Sequence, residues 1–260
     1  MTIRRAAGLL GAALASMAAL ALAACGDASS PATPSPAAIA TAESASRVVR
    51  IDAPFSTTPE AEDEEQDPIV LSSRVFGSGP VGVILAHTRL DDQTSWFPFA
   101  KELADTGEYT VLTFDFRGFV DSTGEKRFDR LDTDLEAALA YVRDTLGIEK
   151  VFLVGASTGG TASLMVASQQ EVAGVVSISA PGQFPPYEPV EAVGAIAAPK
   201  LFVTSADDVP QARSQEEFWE AAREPKEQHI YEGDAHGMDL FAGPYGADLR
   251  ARVLAFLAAH

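Results

Sequence analysis

From Ile69 onward, short apolar runs alternate with longer stretches whose apolar residues recur every three or four positions. The runs Ile69–Val75, Val81–Ala86, Tyr109–Phe114, Val151–Val154, Gly174–Ile178, Lys200–Thr204 and Gln228–Tyr231 predict strands. Several are unbroken blocks of β-branched and aromatic residues, the pattern of strands covered on both faces. Helices are predicted over Trp96–Thr106, Leu131–Leu146, Thr161–Gln170, Gln211–Arg223 and Tyr245–Ala258. In the second of these, Leu131, Leu135, Ala138, Leu139, Val142 and Leu146 form one apolar stripe. Upstream, Arg47–Ile51 reads as an edge strand. Strand-helix alternation of this kind implies right-handed βαβ units, hence an α/β fold with a mostly parallel twisted sheet and helices on both faces.

The N-terminal pattern is different. Arg4 and Arg5 precede an apolar or small-residue stretch, Ala6 to Ala24, closed by Leu22-Ala23-Ala24-Cys25. A charged start, an apolar middle and small residues before a cut are the marks of an export signal. The stretch of 19 residues is also nearly long enough for an uncleaved membrane helix. Leu22-Ala23-Ala24-Cys25, however, resembles the lipobox of bacterial lipoproteins, which implies lipid attachment at Cys25. Cys25 is the single cysteine of the chain, so no internal disulfide forms. Two acyl chains on it would anchor the protein stably where one is marginal. The paired arginines leave the export route open. Residues 1–24 thus read as a signal peptide and 25–46 as the lipidated cysteine with an Ala/Ser/Pro tether. That composition is too poor in large apolar residues to build a core. Residues 47–260 read as the folded domain, exported and held at the cell surface.

Composition narrows the partners. Lys and Arg number 19 against 37 Asp and Glu, a formal charge of −18. A surface that acidic repels phosphate backbones, so nucleic acid is excluded as a partner. Six of the eight residues from Glu60 to Asp67 are acidic, which reads as a solvated loop. Histidine and cysteine are too few and too scattered for a metal site, and no organic cofactor is indicated.

The sharpest motif is Gly155-Ala156-Ser157-Thr158-Gly159-Gly160, which follows an apolar strand and precedes a small-residue helix. G-x-S-x-G in that context is a nucleophile turn. A serine hydroxyl needs a base, and only four histidines are available. His229 lies within a strand, His260 ends the chain, and His87 closes a strand ahead of the nucleophile. His236 sits in a loop after the last strand, on the same sheet edge as the Ser157 turn. It is the candidate base. The orienting carboxylate follows the Lys200–Thr204 strand and is Asp207 or Asp208.

Ser157, Asp208 and His236, in that order and each on a loop after a successive strand, resemble the α/β-hydrolase superfamily, in particular its esterase-like and dienelactone hydrolase-like members. The resemblance covers about residues 69 to 260. Asp115-Phe116-Arg117-Gly118 followed by Asp121-Ser122 is similar to a segment after that fold's fourth strand, with Val120 where glycine is usual. His87-Thr88-Arg89, Trp96 and the run His236–Phe241 also match. The family's spacing selects Asp208 over Asp207. The resemblance implies an oxyanion hole from the N–H groups of Thr158 and Arg89, with Thr88 as the alternative to Arg89.

The chemistry so implied is acyl transfer on an ester-like bond of a small-molecule or acyl substrate, through an acyl-enzyme. Asp115 ends a strand before the nucleophile turn and reads as structural. The segment from Pro181 to Pro199, with Pro185, Pro186 and Pro189, is too short for a bulky cap and predicts a shallow, open site. The competing readings are a catalytically silent, tethered binding protein, and a peptidase or thioesterase using the same residues.

Overall fold

The computed structural model describes residues 34–54 and 68–260. The expected signal peptide, residues 1–24, and Cys25 with the acidic run Glu60–Asp67 lie outside the described residues. Eight strands form one sheet: β1 (Ser46–Ala53), β2 (Ile69–Phe76), β3 (Val81–Ala86), β4 (Tyr109–Phe114), β5 (Val151–Ala156), β6 (Gly174–Ile178), β7 (Lys200–Ser205) and β8 (Lys226–Tyr231). Their order is β1-β2-β4-β3-β5-β6-β7-β8. β1 and β2 pair antiparallel, and β2 pairs antiparallel with β4; every other pairing is parallel. The strands expected from the apolar runs are all present, and β4 to β7 are buried along their whole length. At the two edges, β1 buries alternate residues and β8 only its last.

The helices are α1 (Pro36–Ser44), α2 (Phe97–Asp105), α3 (Leu131–Ala140), α4 (Thr158–Gln169), α5 (Pro189–Val193), α6 (Gln211–Ala221), α7 (Met238–Ala242) and α8 (Gly246–Ala259). Two apolar cores result, one on each face of the sheet. On one face Leu135, Leu139 and Leu164 pack with Val193, Phe202 and Phe218. On the other, Trp96, Phe97 and Leu103 pack with Phe152, Leu240 and Phe256. The stripe on α3 is buried as its spacing predicts, and it carries on through one wider turn over Tyr141–Thr145 that buries Val142.

Two expectations change. Residues 36–44, assigned to the tether, form α1 instead. Ser35 caps it by accepting from the Ala38 N–H at 3.2 Å, and Pro36 sits at its first position, where a missing N–H costs nothing. Ala42 is buried and Ile39 half-buried in the core that also holds α2. An Ala-rich segment lacks bulk but is an excellent helix former, so it folds once a neighbour offers a face. Second, α4 begins at Thr158 rather than near Thr161. Gly159 and Gly160, weak helix formers, lie within it because it presses so close to the sheet. A Cβ at Gly159 would meet the Ala86 carbonyl oxygen at 2.2 Å.

Arg117 and Asp134 tie the loop after β4 to α3. The Arg117 N–H donates to Asp134 Oδ2 at 2.9 Å, and its guanidinium donates to Oδ1 at 2.8 and 2.7 Å. Both side chains are almost wholly buried. Removing the carboxylate that faces a buried guanidinium costs about 3–5 kcal/mol. Asp134→Ala is therefore expected to lower the urea unfolding midpoint by that equivalent with the slope unchanged. A shift below about 1 kcal/mol would show the pair to be solvated.

Candidate active site

The site assembles at the carboxyl edge of the parallel strands. At the end of β5 the chain must reverse into α4 with no space for a side chain on either flank. A Cβ at Gly155 would meet the Gly159 carbonyl oxygen at 2.1 Å. Between them Ser157 adopts φ 51°, ψ −118°, a region costly for any residue with a Cβ. Its N–H donates to the Ile178 carbonyl at 2.8 Å and its carbonyl accepts from Thr161 at 3.0 Å, so the turn is held from both sides.

His236 comes from the loop between β8 and α7, and Asp208 from the loop after β7. His236 Nε2 lies 3.0 Å from Ser157 Oγ, and Nδ1 lies 3.0 Å from both carboxylate oxygens of Asp208. An ionised carboxylate only accepts, so Nδ1 carries the proton and the bare Nε2 accepts from the serine hydroxyl. Asp208 is buried while the His236 side chain is one-third exposed, so the relay opens to solvent at the imidazole. Asp207 points elsewhere and is exposed; its N–H donates to the Gly233 carbonyl at 2.8 Å. The structure thus joins Ser157, Asp208 and His236 and leaves out Asp207, His229 and His260.

Thr158 is the first residue of α4, where N–H groups have no acceptor within the helix. Thr88 and Arg89 lie on the loop after β3, and Thr88 comes near Ser157. A Cβ at Gly237 would stand 3.4 Å from Thr88 Cγ2 and 3.9 Å from Ser157 Cβ. Asp115 accepts from the Gln93 backbone and side-chain amides at 2.9 and 2.7 Å, a structural clamp away from the relay. Burial pushes its carboxyl up to about 6, against the pull of Gln93. Among the described residues, no three His, Cys, Asp or Glu side chains converge to hold a metal ion.

Two supporting residues were not legible as such. Ser205 Oγ donates to the Ala235 carbonyl at 2.8 Å, fastening the loop that carries Asp208 to the loop that carries His236. His87, set aside as a base, is wholly buried between Phe116 and Phe119, with ring centroids at 4.9 and 4.8 Å. The Phe116 N–H donates to its Nε2 at 3.1 Å, so Nδ1 holds the proton and donates to the Thr88 carbonyl at 2.6 Å. That bond fixes the backbone beside Arg89. The position of His87 at a strand end and the family match of His87-Thr88-Arg89 marked the site but not this role.

The fold and the site define the class. The chain belongs to the α/β hydrolase fold family, which it matches over residues 82–226. A search of curated proteins gives no match. Among solved structures, an esterase of Pyrococcus furiosus superposes with a TM-score of 0.66 at 18% identity, over 82% of this chain and 92% of that one. An α/β serine hydrolase homologue from Coxiella burnetii gives 0.64 at 21% identity, over 80% and 96% of the two chains. A bromoperoxidase from Bacillus anthracis gives 0.66 at 17%, over 82% and 100%. At these identities the likeness is one of fold.

Burial, partly offset by the Thr88 hydrogen bond, lowers the His87 pKa from 6.5 to about 4. Its stability contribution is complete above pH 6.5 and is lost as pH falls toward 4, because the unfolded chain alone takes up the proton. Asp115, raised from 3.8 to about 6, acts oppositely: its contribution is complete below 3.8 and lost as pH rises through 6. In His87→Asn only the second effect survives. The stability gap between wild type and this variant is expected to narrow by about 3 kcal/mol from pH 7 to pH 4 in urea titrations. A gap that stays constant would mean that native His87 takes up its proton as readily as the unfolded chain does.

Proposed function

We propose that this protein is an exported, lipid-anchored serine hydrolase that cleaves carboxylic ester or related acyl bonds through an acyl-enzyme. The observation that carries the reading is the 3.0 Å approach of His236 Nε2 to Ser157 Oγ, with Nδ1 held on a buried carboxylate. Ser157 Oγ attacks the acyl carbon while its proton passes to His236 Nε2, and the new C–O bond leaves the negative charge on the former carbonyl oxygen. The N–H groups of Thr158 and of Arg89 or Thr88 receive that oxyanion, at the N-terminal end of α4. Collapse breaks the bond to the leaving alkoxide, which takes the proton from His236. Water then attacks the acyl-enzyme, again losing a proton to His236, and Ser157 departs with it. Asp208 holds the imidazole in the required tautomer and stabilises its cationic form.

The substrate reading rests on the segment after β6. It is pinned down instead of forming a lid. Tyr187 is buried and its hydroxyl donates to Asp132 Oδ1 at 2.8 Å, Phe184 stacks on Tyr187, and α5 packs on α4 and α6. A site without a bulky cap suits small esters or the accessible end of a larger one. The lipid anchor rests on Leu22-Ala23-Ala24-Cys25. Among the described residues no helix is long and apolar enough to cross a membrane.

Fluorophosphonate is expected to label wild type at Ser157 and to leave Ser157→Ala unlabelled. On p-nitrophenyl esters, Asp208→Asn is expected to lower kcat by about 10⁴-fold, with Asp207→Asn within a few-fold of wild type. Failure to label wild type would favour a silent binding protein. Faster turnover of aminoacyl amides or acyl-thioesters than of esters would reassign the reaction to a peptidase or thioesterase.

A further inference from the structure

The direction of α1 has a consequence for which way the site faces. β1 starts at Ser46, opposite Phe76 of β2, and Phe76 lies opposite Val111 near the start of β4. The C-terminal end of α1 therefore stands toward the amino edge of the parallel strands, and its N-terminal end toward the carboxyl edge. Pro34 there lines a cavity of about 340 Å³ with Arg89, Leu90 and Phe119, on the loops after β3 and β4. It also lines a second, of about 350 Å³, with Ser95, Met238 and Phe241. The chain thus leaves the folded domain beside the loop that carries Arg89. Between Cys25 and Pro34 there are nine residue steps, at most about 30 Å fully extended. That is less than half of what a tether running to residue 46 would allow.

A second observation comes from the surface. Five large apolar side chains are exposed among the described residues, and the three most exposed are Leu90 (83%), Val209 (75%) and Val120 (69%). All three sit on carboxyl-edge loops. Leu90 follows the proposed oxyanion donor, Val209 follows Asp208, and Val120 lies on the loop after β4. Val120 moreover holds φ 43°, which disfavours a β-branched residue, and gains no burial in return. Arg89, Lys126, Asp91 and Asp92 line the Pro34 cavity with it. Asp121 and Glu125 are exposed on the same loop, so the surface around Val120 keeps the acidic character of the chain.

We infer that this rim is a membrane-docking surface: the short tether turns the carboxyl edge toward the bilayer, Leu90, Val120 and Val209 enter the headgroup region, and the substrate is an acyl ester residing in that bilayer. This deepens the proposed function and rests on both its hydrolase and its anchor readings. A rim whose loops carry more acids than bases gains nothing from anionic lipid, so docking depends on apolar area and suits a zwitterionic surface.

The test uses the mature lipidated chain in phosphatidylcholine vesicles, with 4-methylumbelliferyl palmitate in the bilayer and p-nitrophenyl acetate in solution. The variant carrying Leu90→Ser, Val120→Gly and Val209→Ser is expected to lose about tenfold in kcat/KM on the palmitate ester and less than twofold on the acetate. A 30-residue Gly/Ser insertion before Pro34 is expected to act in the same sense. Val120→Gly alone should raise Tm, by relieving the backbone, while lowering palmitate cleavage. Equal losses on both substrates, or none on either, would overturn the inference. So would a dimer of the detergent-solubilised chain that the rim variant dissolves without changing palmitate cleavage, since a second copy would then be the occupant. Wild type inactive on both esters would defeat the hydrolase reading, and absence of acyl chains on Cys25 by mass spectrometry the anchor reading. Either of these would remove the basis of this inference.

Discussion

The contact between α4 and the sheet at Gly155 and Gly159 is the constraint on which the rest depends. With side-chain-free backbones meeting there, the helix lies against β3 closely enough that any Cβ would collide with a carbonyl oxygen. The chain can then leave β5 and enter α4 only through a turn whose central residue takes an unfavourable conformation. That residue is Ser157. The strain is supported by a buried sheet and by main-chain hydrogen bonds on both sides of the turn, so the backbone of Ser157 is fixed at the sheet edge. The loops after β7 and β8 then have a stationary target.

Much of this was legible in the sequence, and the reasons are local. Strands buried on both faces must be apolar throughout, so β3, β4 and β6 could be bounded to the residue. The glycines around Ser157 record a steric demand that no other residue meets. The histidine was found by elimination, since only His236 of four follows the last strand on the reactive edge. Asp208 was not separable from Asp207 by composition, because both follow the same strand. Only the spacing typical of the family, and then the distance to the imidazole, distinguishes them.

What escaped the reading is instructive in the same terms. The segment 36–44 has no large apolar residue except Ile39, so nothing in its pattern announces a partner. Its helicity comes from alanine propensity and a serine cap, and its placement from a groove that the rest of the fold supplies. The role of His87 was invisible for another reason. A buried imidazole bonded to two backbone groups serves a loop, and a sequence records side-chain identity without recording which carbonyl lies opposite. Ser205 escaped likewise, as a hydroxyl among many.

The Ser205 bond changes how the protein can vary. The loops that carry Asp208 and His236 are fastened to each other at Ala235, and again where Asp207 meets Gly233. Drift in one is transmitted to the other, so neither is free to be remodelled for a new substrate. The stretch between β6 and β7 lies outside this latch, but Tyr187, Val193 and Ile196 are built into the core, so only its exposed positions, such as Pro185 and Pro186, can change without repacking.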